Sequence, residues 1–162
     1  MRYSAKAEMP EAAALTEPLE TILRGLGLEL IELQAQRRNG RKGLPGTVRI
    51  RAVVYKPGAM GTDDCSRAHR AILPRLELAF PGQGLYVELS SPGIDRLIKD
   101  GVEAAHYRGR GVRCYRTDIA DWSSGVLEAA DETGIVLKGK EGTMRLDYEI
   151  IAKAKLDASQ EE

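Results

Sequence analysis

The sequence predicts an α+β fold in which a two-layer α/β domain is followed by a small β-barrel. Over residues 12–90, hydrophobic periodicity changes in the order helix, strand, strand, helix, strand. From residue 110 onward, short alternating segments are separated by turn residues, and none favours a substantial helix. A chain of 162 residues is long enough for two such domains, which we expect at 1–91 and 92–162.

The first helix is predicted over residues 12–24, where apolar side chains recur every three to four positions and stop before Gly25. Pro18 is expected to kink or restart it, because proline lacks the N–H that an interior helical position donates. A strand follows over residues 28–36. Its alternation slips once near Ile31, which indicates a β-bulge.

Two further strands are predicted in the first domain. In residues 47–55 one face is apolar and the other presents Arg49 and Arg51, so the strand should be half buried with its cations outward. Residues 85–90 alternate in the same way. The resulting order of helices and strands is KH-like.

The second helix is predicted to begin at Thr62, because its hydroxyl can accept a hydrogen bond from a free backbone N–H. Asp63 and Asp64 favour this start, since carboxylates stabilise the positive end of the helix dipole. The inward face should be apolar and consist of Cys65, Ala68, Ile72, Leu76 and Ala79.

The second domain is expected to begin with one helical turn at 101–107 and to end in a mobile tail from about residue 157. A single tight turn at 147–150 resembles the one-turn helix of SH3-like, or Sm-like, barrels. The predicted barrel strands are 111–116, 122–129, 134–138, 143–146 and 151–156, with turns at 131–134 and 139–142.

The composition excludes several classes of protein. Lys and Arg together number 24, as do Asp and Glu, so the chain has no net charge and any electrostatic attraction must be local. No apolar run approaches the ~18 residues of a membrane span, and residues 1–10 lack the apolar core of a secretory signal, so we expect a cytoplasmic protein without a membrane partner. Cys65 and Cys114 are far apart and are predicted to be small, buried side chains.

No catalytic, cofactor or metal site is predicted. Cys65 and His69 stand four residues apart on the second helix, but the carboxylates beside them disfavour a thiolate. Ser90 and Ser91 precede a Pro-Gly turn and do not form a G-x-S-x-G motif. The sequence also lacks a Walker loop, a dinucleotide glycine fingerprint and clustered carboxylates.

Cations concentrate in two segments that contain no carboxylate. Arginine forms paired hydrogen bonds to phosphate, and hairpin loops can present it without burial. We therefore predict RNA contacts, although side chains that simply solvate a loop and two strand faces would give the same pattern. The first cationic cluster is Arg37, Arg38, Arg41, Lys42, Arg49 and Arg51, to which Lys56 adds a seventh charge, and the second is Arg108, Arg110, Arg113 and Arg116.

The loop between the first two strands contains Gly40-Arg41-Lys42-Gly43, which has the G-x-x-G spacing of a KH clamp. That clamp lies between two helices, so here we expect only a flexible cationic loop. The chain has one Phe and no aromatic-rich strand, and for this reason contacts to phosphate and folded shape are favoured over stacking of single-stranded bases.

The most informative motif is Ser90-Ser91-Pro92-Gly93-Ile94-Asp95-Arg96, which follows the third strand directly. Pro92 and Gly93 have the residue types that a type II turn requires at its two central positions. Together with the preceding Leu85 to Leu89, this motif resembles the signature of the RimP family of bacterial ribosome maturation factors. Similarity extends to 26–30, 62–65 and 150–156, and covers the chain from about 15 to 156.

The resemblance implies a non-catalytic, cytoplasmic assembly factor with an N-terminal α/β domain and a C-terminal SH3-like barrel. It also implies contacts with the small ribosomal subunit through rRNA and small-subunit ribosomal protein twelve, and we expect a monomer without a cofactor. The family usually continues Asp-Arg-Pro, whereas here Leu97 follows Arg96, and Tyr107 stands where the family most often has Phe.

Two other functions remain open at this point. An RNA-processing or RNA-modifying enzyme would require an acid/base pair or a cofactor loop. An SH3-like adaptor would require a groove of exposed aromatic side chains, and Tyr115, Trp122 and Tyr148 are too far apart in sequence to identify one.

Overall fold

A computed structural model describes residues 1, 10–58 and 60–161 of the chain. The fold is α+β, as predicted. The described residues divide into two compact units, one formed by 10–92 and the other by 93–161 with Met1. Each unit has its own β-sheet. Within the described residues, no helix is long and apolar enough to cross a membrane.

The first unit contains a three-stranded sheet in the order β1-β2-β3. The β1/β2 pair is antiparallel and the β2/β3 pair is parallel, with α2 providing the crossover. The β1/β2 register shifts between Leu30 and Glu32, so the predicted bulge at Ile31 is confirmed. The elements are α1 (Pro10–Arg24), β1 (Glu29–Arg38), β2 (Thr47–Tyr55), α2 (Thr62–Ala79) and β3 (Gly84–Ser90).

Both helices pack on one face of this sheet. Pro18 lies inside α1 and does not interrupt it. Leu15 before the proline and Leu19 and Leu23 after it form one buried stripe. In α2, Ala68, Ile72 and Leu76 are buried as predicted. Two positions differ from the prediction, however. Cys65 is only half buried. Ala79 is exposed, because the apolar stripe continues from Leu76 to Phe80, which is buried.

Helix α2 begins at Thr62, as predicted, but its N-terminal cap differs from the prediction. Gly61 and not Thr62 is the N-cap, so the Thr62 hydroxyl does not cap the helix. The carboxylate of Asp64 accepts a hydrogen bond from the Gly61 backbone N–H at 3.0 Å. An acidic side chain in the first turn therefore satisfies the backbone N–H of the N-cap residue itself.

The second unit contains a six-stranded antiparallel sheet in the order β4-β9-β5-β6-β7-β8. The five predicted strands and the one-turn helix at 148–150 are confirmed to within about one residue. Strand β4 was not predicted, because two residues are too few to show alternation. The elements are β4 (Leu97–Ile98), α3 (Gly101–His106), β5 (Gly111–Arg116), β6 (Asp121–Ala130), β7 (Gly134–Gly139), β8 (Gly142–Asp147), a 3-10 helix (Tyr148–Ile150), β9 (Ile151–Leu156) and a second 3-10 helix (Ala158–Gln160).

The last residues do not form a free tail. The Asp157 backbone N–H donates to the Gly111 carbonyl at 2.8 Å, and a 3-10 helix follows. The Glu161 carboxylate accepts from Arg110 Nε at 2.6 Å and from the Gly111 N–H at 3.1 Å. The polar composition of this segment thus reflects specific partners on β5 and not solvation alone; Glu162 lies outside the described residues.

The turn after β3 is not the type II turn that the Pro-Gly pair predicts. Gly93 does not have a positive φ, which the third residue of that turn requires. Instead, the Arg96 N–H donates to the Gly93 carbonyl at 3.1 Å, so the turn lies two residues later, with Ile94 and Asp95 at its centre.

Candidate nucleic-acid interface

The first cationic cluster is divided by strand alternation. β1 extends to Arg38, so Arg37 and Arg38 lie on a strand and not in the following loop. In the β1/β2 register Arg37 is opposite the buried Val48, whereas Arg38 is opposite the exposed Thr47. Because successive side chains point to opposite faces of a sheet, the two arginines lie on different faces. They cannot form one surface, contrary to the prediction that grouped them.

Arg37 lies on the helix-packed face of the sheet. Its guanidinium is 3.2 Å from the carboxylate of Glu11 on α1 and 5.9 Å from the centre of the Phe80 ring. Both charged side chains remain more than 40% exposed. Arg37 therefore has partners within the first unit at the edge of its core.

The opposite, outer face of the sheet is uncovered within the first unit. Arg49 and Arg51 project from β2 and both contact Glu88 on β3, at 3.2 Å and 3.1 Å. The hydrogen bond from Arg51 is the main reason that the pKa of Glu88 is held below its usual range. Arg49 also lies 5.2 Å from the centre of the exposed Tyr86 ring.

These ion pairs reduce the positive charge of the outer face without burying it. Arg51 is 53% exposed and Glu88 is 43% exposed, so solvent screens the pair. A shallow depression of about 200 Å³ on this face is lined partly by Glu32, Gln34 and Glu88. The centre of the face is therefore of mixed charge, and a phosphate would find its strongest attraction nearer the β1-β2 loop.

Three cations at this loop end have no ion-pair partner among the described residues: Arg38, Arg41 and Lys42. All three are exposed. The loop is closed by a hydrogen bond from the Leu44 N–H to the Arg41 carbonyl at 2.8 Å, and Gly43 adopts φ 87°. A Cβ at Gly40 would lie 2.0 Å from the Leu44 carbonyl oxygen, so this close approach needs glycine. The loop thus presents its cations from a folded turn.

Lys56 does not contribute to this surface. Its ammonium group is 3.1 Å from both carboxylate oxygens of Asp64, which is buried. The hydrogen bond from Gly61, followed by that from Lys56, holds the pKa of Asp64 below its usual value. Asp64 therefore anchors the start of α2, while Thr62 and Asp63 remain exposed.

The residues of the second cationic cluster differ in their partners. Arg110 pairs with Glu161 at 2.6 Å, and Arg116 pairs with Asp118 at 2.5 Å. Arg108 is exposed, without an ion-pair partner in the part of the chain that the structure describes. Arg113 lies 5.1 Å from the centre of the Trp122 ring. The four side chains thus have four different environments.

The signature motif contains a buried ion pair that was not predicted. Arg96 Nε lies 2.5 Å from Oε1 of Glu103, and their side chains are only 14% and 5% exposed. The Tyr107 hydroxyl donates to Glu103 at 3.2 Å, and the Lys99 backbone N–H donates to its other oxygen at 3.2 Å. Burial, together with the Glu103 charge, raises the pKa of Tyr107. Arg96 therefore joins the residue before β4 to α3, which gives this arginine a structural role without a ligand.

The other signature residues are more exposed than Arg96, apart from Pro92. Ser90 ends β3, and Ser91, Gly93 and Asp95 are exposed, while Pro92 is half buried. They connect the two sheets in sequence. Nothing in their contacts provides a nucleophile with an adjacent base.

Cys114 does not provide a reactive thiol. Burial raises the pKa of the Cys114 thiol to about 12, so it remains protonated and unreactive. Among the described residues, no group of three or more His, Cys, Asp or Glu side chains could hold a metal ion.

Comparison with known proteins finds one family model and a curated relative that share the same family name. A family model for the RimP N-terminal domain matches residues 18–95, which span β1 to β3 and end within the signature motif. The ribosome maturation factor RimP of Borrelia turicatae (strain 91E135) is 28% identical over 138 residues, or 85% of this chain and 90% of that protein. These two matches support the RimP family for this chain. RimP proteins are non-catalytic, so this chain is not an enzyme and the RNA-processing alternative is excluded.

Within the RimP match, the structure separates two kinds of sequence feature. The signature arginine is used internally, in contact with Glu103. The cations of the β1-β2 loop are exposed and without carboxylate partners in the described ranges. Of the two, the loop end of the first sheet is therefore the better candidate for a binding surface.

Proposed function

We propose that this chain acts in the cytoplasm as a ribosome maturation factor that binds the free, immature small ribosomal subunit. The RimP family match supports this proposal, as does the name of the Borrelia turicatae relative. Its contacts would be with rRNA and with small-subunit ribosomal protein twelve, and the factor would act as a monomer. The mechanism would be differential affinity, in which the factor binds one arrangement of immature RNA and protein and is released once that arrangement changes.

The observation that carries the RNA part of the proposal is the exposed trio Arg38, Arg41 and Lys42. A trio of exposed cations without an ion-pair partner among the described residues attracts phosphate locally, although the chain as a whole is neutral. Arg49 and Arg51 extend this surface along β2 and would exchange Glu88 for phosphate oxygens on binding. Arg37 is no longer part of the proposed contact, because it lies on the other face of the sheet.

The domain architecture belongs to the same proposal. We take 1–91 as a KH-like α/β domain that lacks the KH clamp, since its glycine-containing loop joins two strands. We take 92–162 as an SH3-like barrel. The strand order and the 3-10 helix between β8 and β9 support this reading. In this scheme the first domain contacts rRNA phosphates and the second domain binds the ribosomal protein.

Co-sedimentation with free small subunits across a range of salt concentrations tests the proposal. We expect the triple variant Arg38→Glu, Arg41→Glu, Lys42→Glu to bind more weakly and with a shallower salt dependence. Each lost phosphate contact reduces the magnitude of the negative slope of log K against log salt by about 0.7 to 0.9. The effect should be largest at low salt, where the charges of protein and RNA are least screened.

A matched control reverses three exposed cations elsewhere, Arg70→Glu, Arg75→Glu and Lys140→Glu, and so makes the same change in net charge. It should bind subunits like the wild type. Equal loss in both variants would show that only net charge matters, and equal retention would remove the loop from the interface. Failure of the wild type to sediment with subunits would overturn the proposed function itself.

A further inference from the structure

Strands β9, β5 and β6 bring together aromatic and cationic side chains that are distant in sequence. Tyr115 on β5 lies opposite Trp122 on β6 and opposite Lys153 on β9. Two residues away on each strand, Arg113 on β5 lies opposite Lys155 on β9. Side chains directly opposite each other share a face of the sheet, as do positions two apart along one strand. The buried Val112 and Cys114 alternate with Arg113 and Tyr115, so these five side chains lie on the outer face.

The rings form a compact group. Tyr115 and Trp122 meet edge to face, with centroids 5.5 Å apart and planes at 70°. The Arg113 guanidinium lies 5.1 Å from the Trp122 ring centre, and the Lys155 ammonium lies 5.8 Å from it. Despite these contacts Trp122 remains 40% exposed. A large aromatic surface with cations beside it is thus open to solvent within this unit.

The cations of this group are not neutralised by the protein. Arg113, Lys153 and Lys155 have no ion-pair partner among the described residues, and Arg113 Nε is buried without a hydrogen-bond acceptor. Arg113 does act on Asp157: after the hydrogen bonds from Ser159, its charge contributes to lowering the pKa of this carboxyl group. From Pro92 onward the sequence has more acidic than basic residues, yet this face collects three cations and two rings. Its charge complements an anion and its rings complement a planar group.

We propose that this face, which we call the Trp122 platform, binds an unpaired nucleotide of RNA by stacking its base on Trp122 and holding the flanking phosphates with Arg113, Lys153 and Lys155. Stacking on an aromatic ring and ionic contact with the adjacent phosphates are the two components of single-strand recognition. The arginine is suited to this, because its planar group can stack and still donate in pairs to phosphate. A protein partner is less well matched, since this surface offers little apolar area beyond the rings and Leu97.

This inference deepens the proposed function, since rRNA would supply the unpaired nucleotide, but it concerns a different surface from the β1-β2 loop. It also revises the sequence-based expectation that base stacking is disfavoured. The sequence has no aromatic-rich strand, but two strands contribute one ring each. Cross-strand register, and not local composition, builds the platform.

The chain contains a single Trp, so intrinsic fluorescence reports directly on the platform. We expect a short single-stranded RNA oligonucleotide to quench Trp122 fluorescence and an abasic oligonucleotide of the same length and charge to quench it much less. Arg113→Gln with Lys155→Gln should weaken binding of both oligonucleotides and reduce the salt dependence. A fully paired RNA duplex should compete poorly, because its bases are already stacked.

Trp122→Ala tests the ring by fluorescence anisotropy with a labelled oligonucleotide. It should weaken binding of the intact oligonucleotide about 5- to 150-fold, the range expected for loss of one stacked base, while barely changing binding of the abasic one. Trp122→Phe should recover part of the lost binding of the intact oligonucleotide, because Phe can still stack on a base. A purely structural role of Trp122 would instead weaken binding of the intact and the abasic oligonucleotide alike. Circular dichroism confirms that each variant is folded.

The outcomes separate this inference from the proposed function. The loop variant Arg38→Glu, Arg41→Glu, Lys42→Glu should leave Trp122 quenching by the oligonucleotide unchanged. If intact and abasic oligonucleotides bind and quench equally, stacking is disproved even when subunits still bind. If polyglutamate quenches Trp122 and RNA does not, the platform recognises acidic protein and the proposal is wrong.

Discussion

The arginines of the first cationic cluster show how strongly a residue's role depends on neighbours that are distant in sequence. The segment 34–61 contains no carboxylate, and for that reason the sequence predicts a uniformly available set of cations. In the structure Glu88 lies beside Arg49 and Arg51, and Glu11 lies beside Arg37. These pairs are exposed and contribute little stability, but they change which cations are free to bind phosphate.

The Arg96–Glu103 pair makes the first prediction at this scale. Replacing Arg96 by Ala leaves a carboxylate that is 5% exposed without its cation, and uncompensated buried charge typically destabilises a protein by about 3–5 kcal/mol. We expect Arg96→Ala to lower the free energy of unfolding in urea by about that amount. RNA or subunit binding by the folded fraction should be unchanged.

Asp95→Ala provides the control, because Asp95 is the exposed neighbour in the same signature. It should change stability by less than about 0.5 kcal/mol. Glu103→Gln in the Arg96→Ala background should restore part of the loss, since it removes the unpaired charge. If Arg96→Ala is as stable as Asp95→Ala, the signature arginine is not the anchor described above.

At the scale of elements, the β7-β8 hairpin depends on one carboxylate. Asp131 accepts hydrogen bonds from both terminal nitrogens of Arg145, at 2.9 and 3.0 Å. It also accepts from the backbone N–H groups of Thr133 and Gly134, at 2.8 and 3.0 Å. These donors, the Arg145 guanidinium first among them, hold the pKa of Asp131 far below its usual value. The carboxylate thus joins the turn before β7 to strand β8.

This geometry predicts a pH dependence. A carboxyl group whose pKa is lower in the folded state contributes its stability above its unfolded pKa, near 3.8, and loses it as the pH falls toward the folded value. We expect Asp131→Asn to have a lower melting temperature than the wild type at pH 7, because the amide cannot attract Arg145 as a charge. Below about pH 4 this difference should narrow.

Glu132→Gln is a suitable control for the hairpin, because Glu132 is exposed in the same turn and no hydrogen bond or ion pair joins it to the other described residues. Its melting temperature should follow the wild type at every pH. Thermal scans by circular dichroism between pH 3 and 7 would measure both variants. A gap between wild type and Asp131→Asn that stays constant over this range would contradict the role given to the charge.

Most elements could be predicted from the sequence because their patterns are local. Turn residues separate β5 to β9, and alternation within each strand gives its period, so the predicted and observed bounds nearly coincide. The bulge at Ile31 was visible as a slip in that alternation. The errors occur at ends of elements, where neighbours decide: Gly61 caps α2, Ala79 is exposed, and residues 157–161 bind β5.

At the scale of the whole molecule, each compact unit has its own buried core. Ile72 is completely buried in the first unit and Leu137 in the second. We predict that Ile72→Ala lowers hydrogen-exchange protection in peptides from 10–92 and not in those from 93–161, and that Leu137→Ala has the opposite effect. Each substitution should cost about 2–5 kcal/mol in its own unit.

Hydrogen exchange followed by mass spectrometry on the full chain would measure both patterns. Each variant serves as the control for the other, because both remove a buried aliphatic side chain. Equal loss of protection throughout the chain in either variant would show a single cooperative unit. The proposed domain boundary at residues 91 and 92 would then be wrong.

The sequence by itself determined the α+β class, the order of the predicted elements, the family signature and the absence of net charge. These are properties of local periodicity, turn residues and composition, which do not depend on distant contacts. The tertiary structure decided that Arg37 and Arg38 lie on opposite faces and that Arg96 is an internal anchor. It also decided that Tyr115 and Trp122 form one surface. Alternation tells which face of a strand a side chain occupies, but only the register between strands tells which other side chain stands beside it.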